Sequence, residues 1–202
     1  MTDPSPQNKK DDAQEIEIKL KLSLTDHSTL KSWLLKNTKP GAVQHQTDLY
    51  FENPHSPFFK PDSHGHIQAL KYFRLRSIPN GPCFLTFKDW DTPASSAGDR
   101  LFCYEHETEV SNKEHMLKII TALGYTKQYS LQKKRSHFYH TDFELAVDQI
   151  TELGTFLEIE VKKRKFPDPA SERQRLIQLV DQIGLIETTL VKRGYILQLF
   201  DQ

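Results

Sequence analysis

The segment Glu15-Ile16-Glu17-Ile18-Lys19-Leu20-Lys21-Leu22 alternates charged and aliphatic side chains without a fault. A period of two belongs to an extended strand, not to a helix. It sends Glu15, Glu17, Lys19 and Lys21 to one face and Ile16, Ile18, Leu20 and Leu22 to the other. The same phasing recurs along the chain. Arg74 and Arg76 share a face, and Lys88 shares one with Thr86, opposite Leu85 and Phe87. Glu105, Glu107 and Glu109 are in phase, as are Lys133 and Arg135. Asp148 is in phase with Ala146 and Glu144, and Glu158 with Glu160 against Leu157, Ile159 and Val161.

Strands with one charged and one apolar face can close in two ways. The charged faces point to water around an ordinary apolar core, or the sheet curls into a barrel with a charged interior. In the second case helices must cover the apolar faces, and the buried ions must be paired or bound to a ligand. Periodicity alone does not choose between the two.

The helices expected are few. One has Asp26 as cap and Leu30, Trp33 and Leu34 as its stripe. A second starts at the capping box Ser111/Glu114, uses Leu117, Ile120 and Leu123, and stops at Gly124. A third opens at Pro167-Asp168-Pro169, carries Leu176, Leu179, Val180 and Ile183, and stops at Gly184. A short amphipathic end runs over residues 190–200. Pro79-Asn80-Gly81-Pro82 reads as a hairpin turn, and residues 54–65 and 92–99 as loops. Strands and helices do not alternate as in a parallel sheet, so the fold class expected is α+β, an antiparallel sheet or barrel with peripheral helices.

Composition narrows the function. Lys plus Arg is 27 and Asp plus Glu is 27, so the net charge is zero, which argues against a nucleic-acid coat. No apolar run is long enough to span a bilayer, so no membrane partner is expected. Residues 1–14 are polar and read as a disordered tail before a single domain over 15–202. Two cysteines, Cys83 and Cys103, make neither a disulfide framework nor a four-thiolate zinc site, and read as buried free thiols in a cytoplasmic protein. His64-Gly65-His66 reads as surface loop, and Lys162-Lys163-Arg164-Lys165 as a solvated strand end. Trp33 and Trp90 read as core and loop-edge aromatics, not base-stacking platforms.

The chemistry of the in-phase groups is suggestive. Paired carboxylates are hard oxygen donors suited to Mg²⁺ or Mn²⁺. Arg and Lys complement phosphate, Arg as a fork and Lys as a point charge. No Gly-rich phosphate loop is present.

Glu15-Ile16-Glu17-Ile18-Lys19 resembles the ExExK signature of the CYTH superfamily, the triphosphate tunnel metalloenzymes. Further pieces follow in that family's order. They are Gln46-Thr47-Asp48-Leu49-Tyr50-Phe51, Arg74-Leu75-Arg76, Leu85-Thr86-Phe87-Lys88, Glu105-His106-Glu107-Thr108-Glu109-Val110, and Lys133-Lys134-Arg135. Asp148 with Leu153-Gly154-Thr155-Phe156-Leu157-Glu158-Ile159-Glu160 resembles the late acidic motif. The branch that looks most similar is that of the class IV adenylyl cyclases.

The resemblance implies an eight-stranded closed antiparallel tunnel with the charged faces inward. It implies Glu15, Glu17, Asp148, Glu158 and Glu160 as ligands of Mg²⁺ or Mn²⁺, with Glu105 and Glu107 as additions. Lys19, Arg74, Arg76, Lys88, Lys133 and Arg135 would grip a triphosphate, with Lys19 also the catalytic candidate. The activity implied is cyclisation of ATP to cyclic AMP and pyrophosphate. The alternatives are hydrolysis of tripolyphosphate, thiamine triphosphate or a nucleoside triphosphate, and a non-catalytic polyphosphate- or nucleotide-binding role. The partner expected is thus a small-molecule triphosphate, with a homodimer left open. One departure stands out: Cys103 lies where many relatives have an arginine.

Overall fold

A computed structural model of the chain describes residues 14–61, 65, 67–69, 71–90, 102–162, 165–191 and 194–199. In chain order the elements are β1 (Gln14–Glu15), β2 (Glu17–Lys21), α1 (Leu24–Asn37), β3 (Lys39–Glu52), β4 (Phe59–Pro61), β5 (Ile67–Ala69), β6 (Lys71–Ser77) and β7 (Cys83–Asp89). Then come β8 (Cys103–Val110), α2 (Lys113–Ala122), β9 (Thr126–His140), β10 (Phe143–Ile150), β11 (Gly154–Val161), α3 (Pro169–Ile183), β12 (Thr189–Leu190) and α4 (Tyr195–Leu199).

One antiparallel sheet holds ten strands in the order β1-β8-β7-β6-β3-β9-β10-β11-β2-β12, and β4 pairs with β5 separately. This corrects the expectation of eight strands in a closed ring: the sheet is not closed by hydrogen bonds. The reason lies in the first strand segment, which changes partner. Gln14 and Glu15 pair with Tyr104 and Cys103 on β8, whereas Glu17 to Lys21 pair with Glu160 to Phe156 on β11. Between them Ile16 accepts a hydrogen bond from the Val161 amide at 3.2 Å. The two ends of the sheet are therefore joined through the chain itself.

The helices decide which face is buried against what. Ile16, Ile18 and Leu20, Phe143, Leu145 and Val147, and Leu157, Ile159 and Val161 pack with Leu30 and Leu34 of α1 and Leu176, Leu179 and Ile183 of α3. Each such fully buried aliphatic side chain contributes roughly 1.5–3 kcal/mol. On the other side Ile120 of α2 covers Phe51, Leu75, Cys83 and Val110. The apolar faces thus lie outside under helices, and the charged faces point inward.

Two tight connections set the register of the inner face. The turn after β6 is closed by Gly81 N–H to the Ile78 carbonyl, 3.0 Å, with Asn80 at a positive φ of 55°. It aligns Arg74 with Thr86 and Arg76 with Phe84. The two-residue turn Thr141-Asp142 aligns Asp148 with Arg135, and Arg175 of α3 holds the Asp142 carboxylate at 2.8 Å.

Several local expectations change. Ser23, not Asp26, caps α1, accepting the Asp26 amide at 3.0 Å. The Asp26 carboxylate instead is buried and accepts the amides of Ile186 and Glu187 at 2.9 and 2.8 Å. Asn112, rather than Ser111, caps α2, accepting the His115 amide at 2.8 Å. Leu123 lies past the helix and is exposed. Asp168 and Gly184 do bound α3, the latter in the left-handed region. Residues 59–61, where a loop was expected, form a strand that pairs with residues 67–69. Gln14 belongs to β1, not to the tail. His64, His66, Lys163, Arg164 and residues 1–13 and 92–99 lie outside the described residues. No helix is long and apolar enough to cross a membrane.

Candidate active site

Nine strand segments bring the charged residues to one inner face, and their side chains meet in pairs. Lys88 of β7 bonds Glu15 of β1 and lies 3.7 Å from Glu105 of β8. Lys19 of β2 bonds Glu158 of β11 at 2.8 Å and lies 3.7 Å from Glu17. Arg135 of β9 donates from Nε to Asp148 Oδ1 at 2.7 Å and also bonds Glu158. Lys133 donates to Asp148 Oδ2 at 2.8 Å. Arg76 of β6 makes a two-pronged contact with Asp48 of β3, at 2.7 and 2.8 Å. Arg74 lies 3.6 Å from Asp48 and donates to Thr86 Oγ1 at 3.2 Å, while Thr86 donates to Glu107 at 2.8 Å.

All six cations and six of the seven carboxylates named from the sequence are therefore linked to partners across this face. Glu160, the seventh carboxylate, lies 3.8 Å from Lys162 of the same strand end. Cys103 also lines this face; its buried Sγ lies 3.2 Å from Glu15 Oε2 and donates to it. Burial, and then the Glu15 charge, push that thiol far above the usual thiol range.

The electrostatics separate the two inner lysines. Burial disfavours the Lys19 ammonium, but Glu158 and Glu17 outweigh it and raise its pKa, so Lys19 stays charged. Lys133 is pushed down to about 7, by burial first and then by the Arg135 guanidinium, against the pull of Asp148. Burial likewise opposes charge on Asp48, yet Arg76 and Arg74 hold its carboxyl below the ordinary value. Arg135 and Lys19 do the same for Glu158. Buried ions so arranged satisfy one another, since leaving one unpaired would be costly.

The face is graded in depth. Asp48, Lys133 and Asp148 are 1%, 5% and 0% exposed, whereas the Glu105 and Glu107 side chains reach 22% and 41%. Below the deep ions lies an apolar floor of Leu131, Ile150, Phe156 and Tyr195, all buried. The Tyr195 ring of α4 sits against Phe156 at 4.9 Å between centroids, with Lys19 Nζ 4.2 Å and Lys133 Nζ 5.3 Å from its centre. The β4–β5 hairpin adds Phe59, Ile67 and Ala69 to this floor. The inner face thus carries charge beside this apolar floor, and its carboxylates are most exposed at Glu107 and Glu160.

The donor chemistry fits a divalent cation. Among the described residues no three His, Cys, Asp or Glu side chains are already gathered as a metal cage. The candidate ligands are nonetheless all carboxylates, the hard oxygen donors that Mg²⁺ and Mn²⁺ take. Burial and the neighbouring Glu15 carboxylate push Glu160 up, against the pull of Lys162 and Lys88. Such crowding of like charge is what a cation relieves.

Three contributors were not singled out from the sequence. Asp48 belongs to the Gln46–Phe51 segment, and its phase with Gln46 and Tyr50 places it on the inner face. Thr86 was noted for its phase with Lys88 without a role. Tyr195 comes from the far end of the chain, on the five-residue helix α4.

The CYTH domain family profile matches residues 13–195. A protein of Methanocaldococcus jannaschii named putative adenylate cyclase is 23% identical over 182 residues, which are 90% of this chain and 97% of that protein. Among solved structures, a conserved hypothetical protein of Pyrococcus furiosus aligns with a TM-score of 0.69 at 27% identity, over 92% of this chain and 99% of that one. A Hippeastrum protein, described as a putative adenylyl cyclase with a dominant triphosphatase activity, aligns with a TM-score of 0.57 at 18% identity, over 90% and 93% of the two chains. At that identity the likeness speaks for the fold alone. With strands in this order, charges on the inner face and a profile match over almost its whole length, the chain belongs to the CYTH domain family.

Proposed function

We propose that this chain is a divalent-metal-dependent enzyme acting on a triphosphate, and that its reaction is cyclisation of ATP to cyclic AMP and pyrophosphate. The observation that carries the reading is the inner face itself, where Lys19, Arg74, Arg76, Lys88, Lys133 and Arg135 are paired with carboxylates and largely buried. A polyanion accompanied by divalent cations is the ligand that satisfies both signs at once. Names of relatives favour cyclisation, and the Hippeastrum protein's description favours hydrolysis as the second reading.

The residues divide by chemistry. Glu15, Glu17, Asp148, Glu158 and Glu160, with Glu105 and Glu107 nearer the mouth, would hold the metal. Mg²⁺ or Mn²⁺, when bound, supplies Lewis-acid charge at phosphate oxygens. Arg76 and Arg135 present guanidinium forks, and Arg74, Lys88 and Lys133 further positive charge, to the phosphates and to the leaving pyrophosphate. For this the carboxylates must release the cations with which they pair. Lys19, kept charged by Glu158 and Glu17, acts as a fixed cation beside the reacting phosphate and not as a proton acceptor. The Leu131, Ile150, Phe156 and Tyr195 floor keeps water from the inner end.

The test is to incubate the protein with ATP and Mg²⁺ or Mn²⁺ and resolve the products. Metal-dependent cyclic AMP and pyrophosphate are expected. ADP and phosphate, or turnover of tripolyphosphate alone, establish the hydrolytic reading instead. No turnover of any of these compounds overturns the enzymatic one.

A further inference from the structure

His137 stands on β9 two positions beyond Arg135 and four beyond Lys133, so the strand's period sends all three to the inner face. Its register partner on β10 is Ala146, two positions from Asp148 and two from Glu144. Its Nδ1 lies 2.6 Å from Glu144 Oε1. A carboxylate only accepts, so Nδ1 carries the proton of that bond. Glu144 is held in turn by Lys162, whose Nζ is 2.6 Å from Oε2. Burial opposes the Glu144 charge, but the bonds from His137 and Lys162 take its pKa down to about 2, so it remains a carboxylate that orients the ring. The other ring nitrogen, Nε2, is buried and has no hydrogen-bond partner. A buried polar atom without a partner costs free energy unless a ligand supplies one.

Depth gives that ligand a place. The buried apolar cluster fills the inner face on the Leu131 side of Lys133, so a group attached to phosphates held by Lys133 and Arg135 extends the other way, toward His137. Two residues of strand cover roughly 7 Å, which is about the step from Arg135 to His137. Neither residue of the His137–Glu144 pair is needed to bind phosphate or metal in the reading above, on which this inference rests.

We propose that His137, oriented by Glu144, is a specificity residue on the inner face, one strand repeat beyond the phosphate-holding Arg135. Its Nε2 accepts a hydrogen bond from an N–H or O–H of the organic group that the triphosphate carries. A base amine and a sugar hydroxyl share this chemistry.

Binding of α,β-methylene-ATP and of imidotriphosphate, each with Mg²⁺, is measured calorimetrically for the wild type and for His137→Ala, His137→Gln and Glu144→Gln. His137→Ala is expected to weaken the nucleotide about tenfold, the equivalent of one neutral hydrogen bond, and to leave imidotriphosphate within about twofold. Glu144→Gln is expected to fall between, and the retained imidotriphosphate affinity reports that each variant is folded. An analogue without the base amine, or one without the sugar hydroxyls, should be insensitive to His137→Ala, and which of them is insensitive identifies the donor. Equal loss for both ligands, or no loss for the nucleotide, overturns the proposal while leaving the triphosphate site standing. A wild type that binds neither ligand overturns both.

Discussion

Arg76 and Asp48 are joined by two parallel hydrogen bonds, Nε to Oδ1 at 2.7 Å and Nη2 to Oδ2 at 2.8 Å, with the carboxylate only 1% exposed. The guanidinium plane is thereby fixed, and Arg74 is drawn to within 3.6 Å of the same carboxylate. Removing one partner of such a pair leaves the other buried without compensation. Asp48→Ala is expected to destabilise the fold by about 3 kcal/mol. In a chain of this size that lowers the thermal midpoint by roughly 6–12 °C. A calorimetric scan checks it, and an unchanged midpoint would remove Asp48 from the account.

Tyr195 is expected to be needed for its ring more than its hydroxyl. The ring packs on Phe156 and lies beneath Lys19 and Lys133. Tyr195→Ala opens a cavity in the floor and should cost about 3–5 kcal/mol, as truncation of a large buried ring does. Tyr195→Phe keeps the ring and should lie close to the wild type. Urea unfolding of both variants distinguishes them; equal losses would show that the floor depends on the hydroxyl.

Glu144 predicts an acid limb of stability. Its folded pKa, about 2, lies below the ordinary 4.5. A depressed carboxylate contributes stability that is fully present above 4.5 and is lost as pH falls through 2. The thermal midpoint should therefore decline between those values, and Glu144→Gln should decline less steeply over the same window. Parallel pH profiles for the two proteins would contradict the assignment.

Cys103 should be inert in the folded protein. It is 0% exposed, and burial and Glu15 hold it as a thiol, whereas reaction requires an accessible thiolate. Cys83 is buried too, and burial likewise raises its pKa. Titration with a thiol reagent should find no fast-reacting group under native conditions and two after denaturation. A fast native reaction at Cys103 would mean that the inner wall opens there.

Much of this arrangement could be read from local pattern, and the remainder could not, for physical reasons. The alternation of Glu15 to Leu22 and of Leu157 to Val161 is set by strand geometry, so the faces were legible. Which face points inward was not, because a strand is amphipathic in either orientation. The covering of Ile18, Leu145 and Ile159 by Leu30, Leu176 and Leu179 resolves it, and those contacts are distant in sequence. The change of partner at Ile16, which leaves the sheet unclosed by hydrogen bonds, depends on where β8 and β11 end in space. Asp26 offered a cap by type, but its carboxylate is taken by the amides of Ile186 and Glu187, and Ser23 caps instead. Tyr195 enters the site from a five-residue helix at the other end of the chain.

The central claim is that carboxylates and cations of the inner face together hold a metal-bound triphosphate. Crystals soaked with Mn²⁺ and imidotriphosphate, recorded at a wavelength where manganese scatters anomalously, test it most directly. An anomalous peak is expected among the carboxylates of Glu17, Glu158 and Glu160, with phosphate density against Arg76 and Arg135. Manganese and phosphate found only on the outer surface, with Lys19–Glu158 and Arg135–Asp148 still paired at saturating ligand, would contradict it.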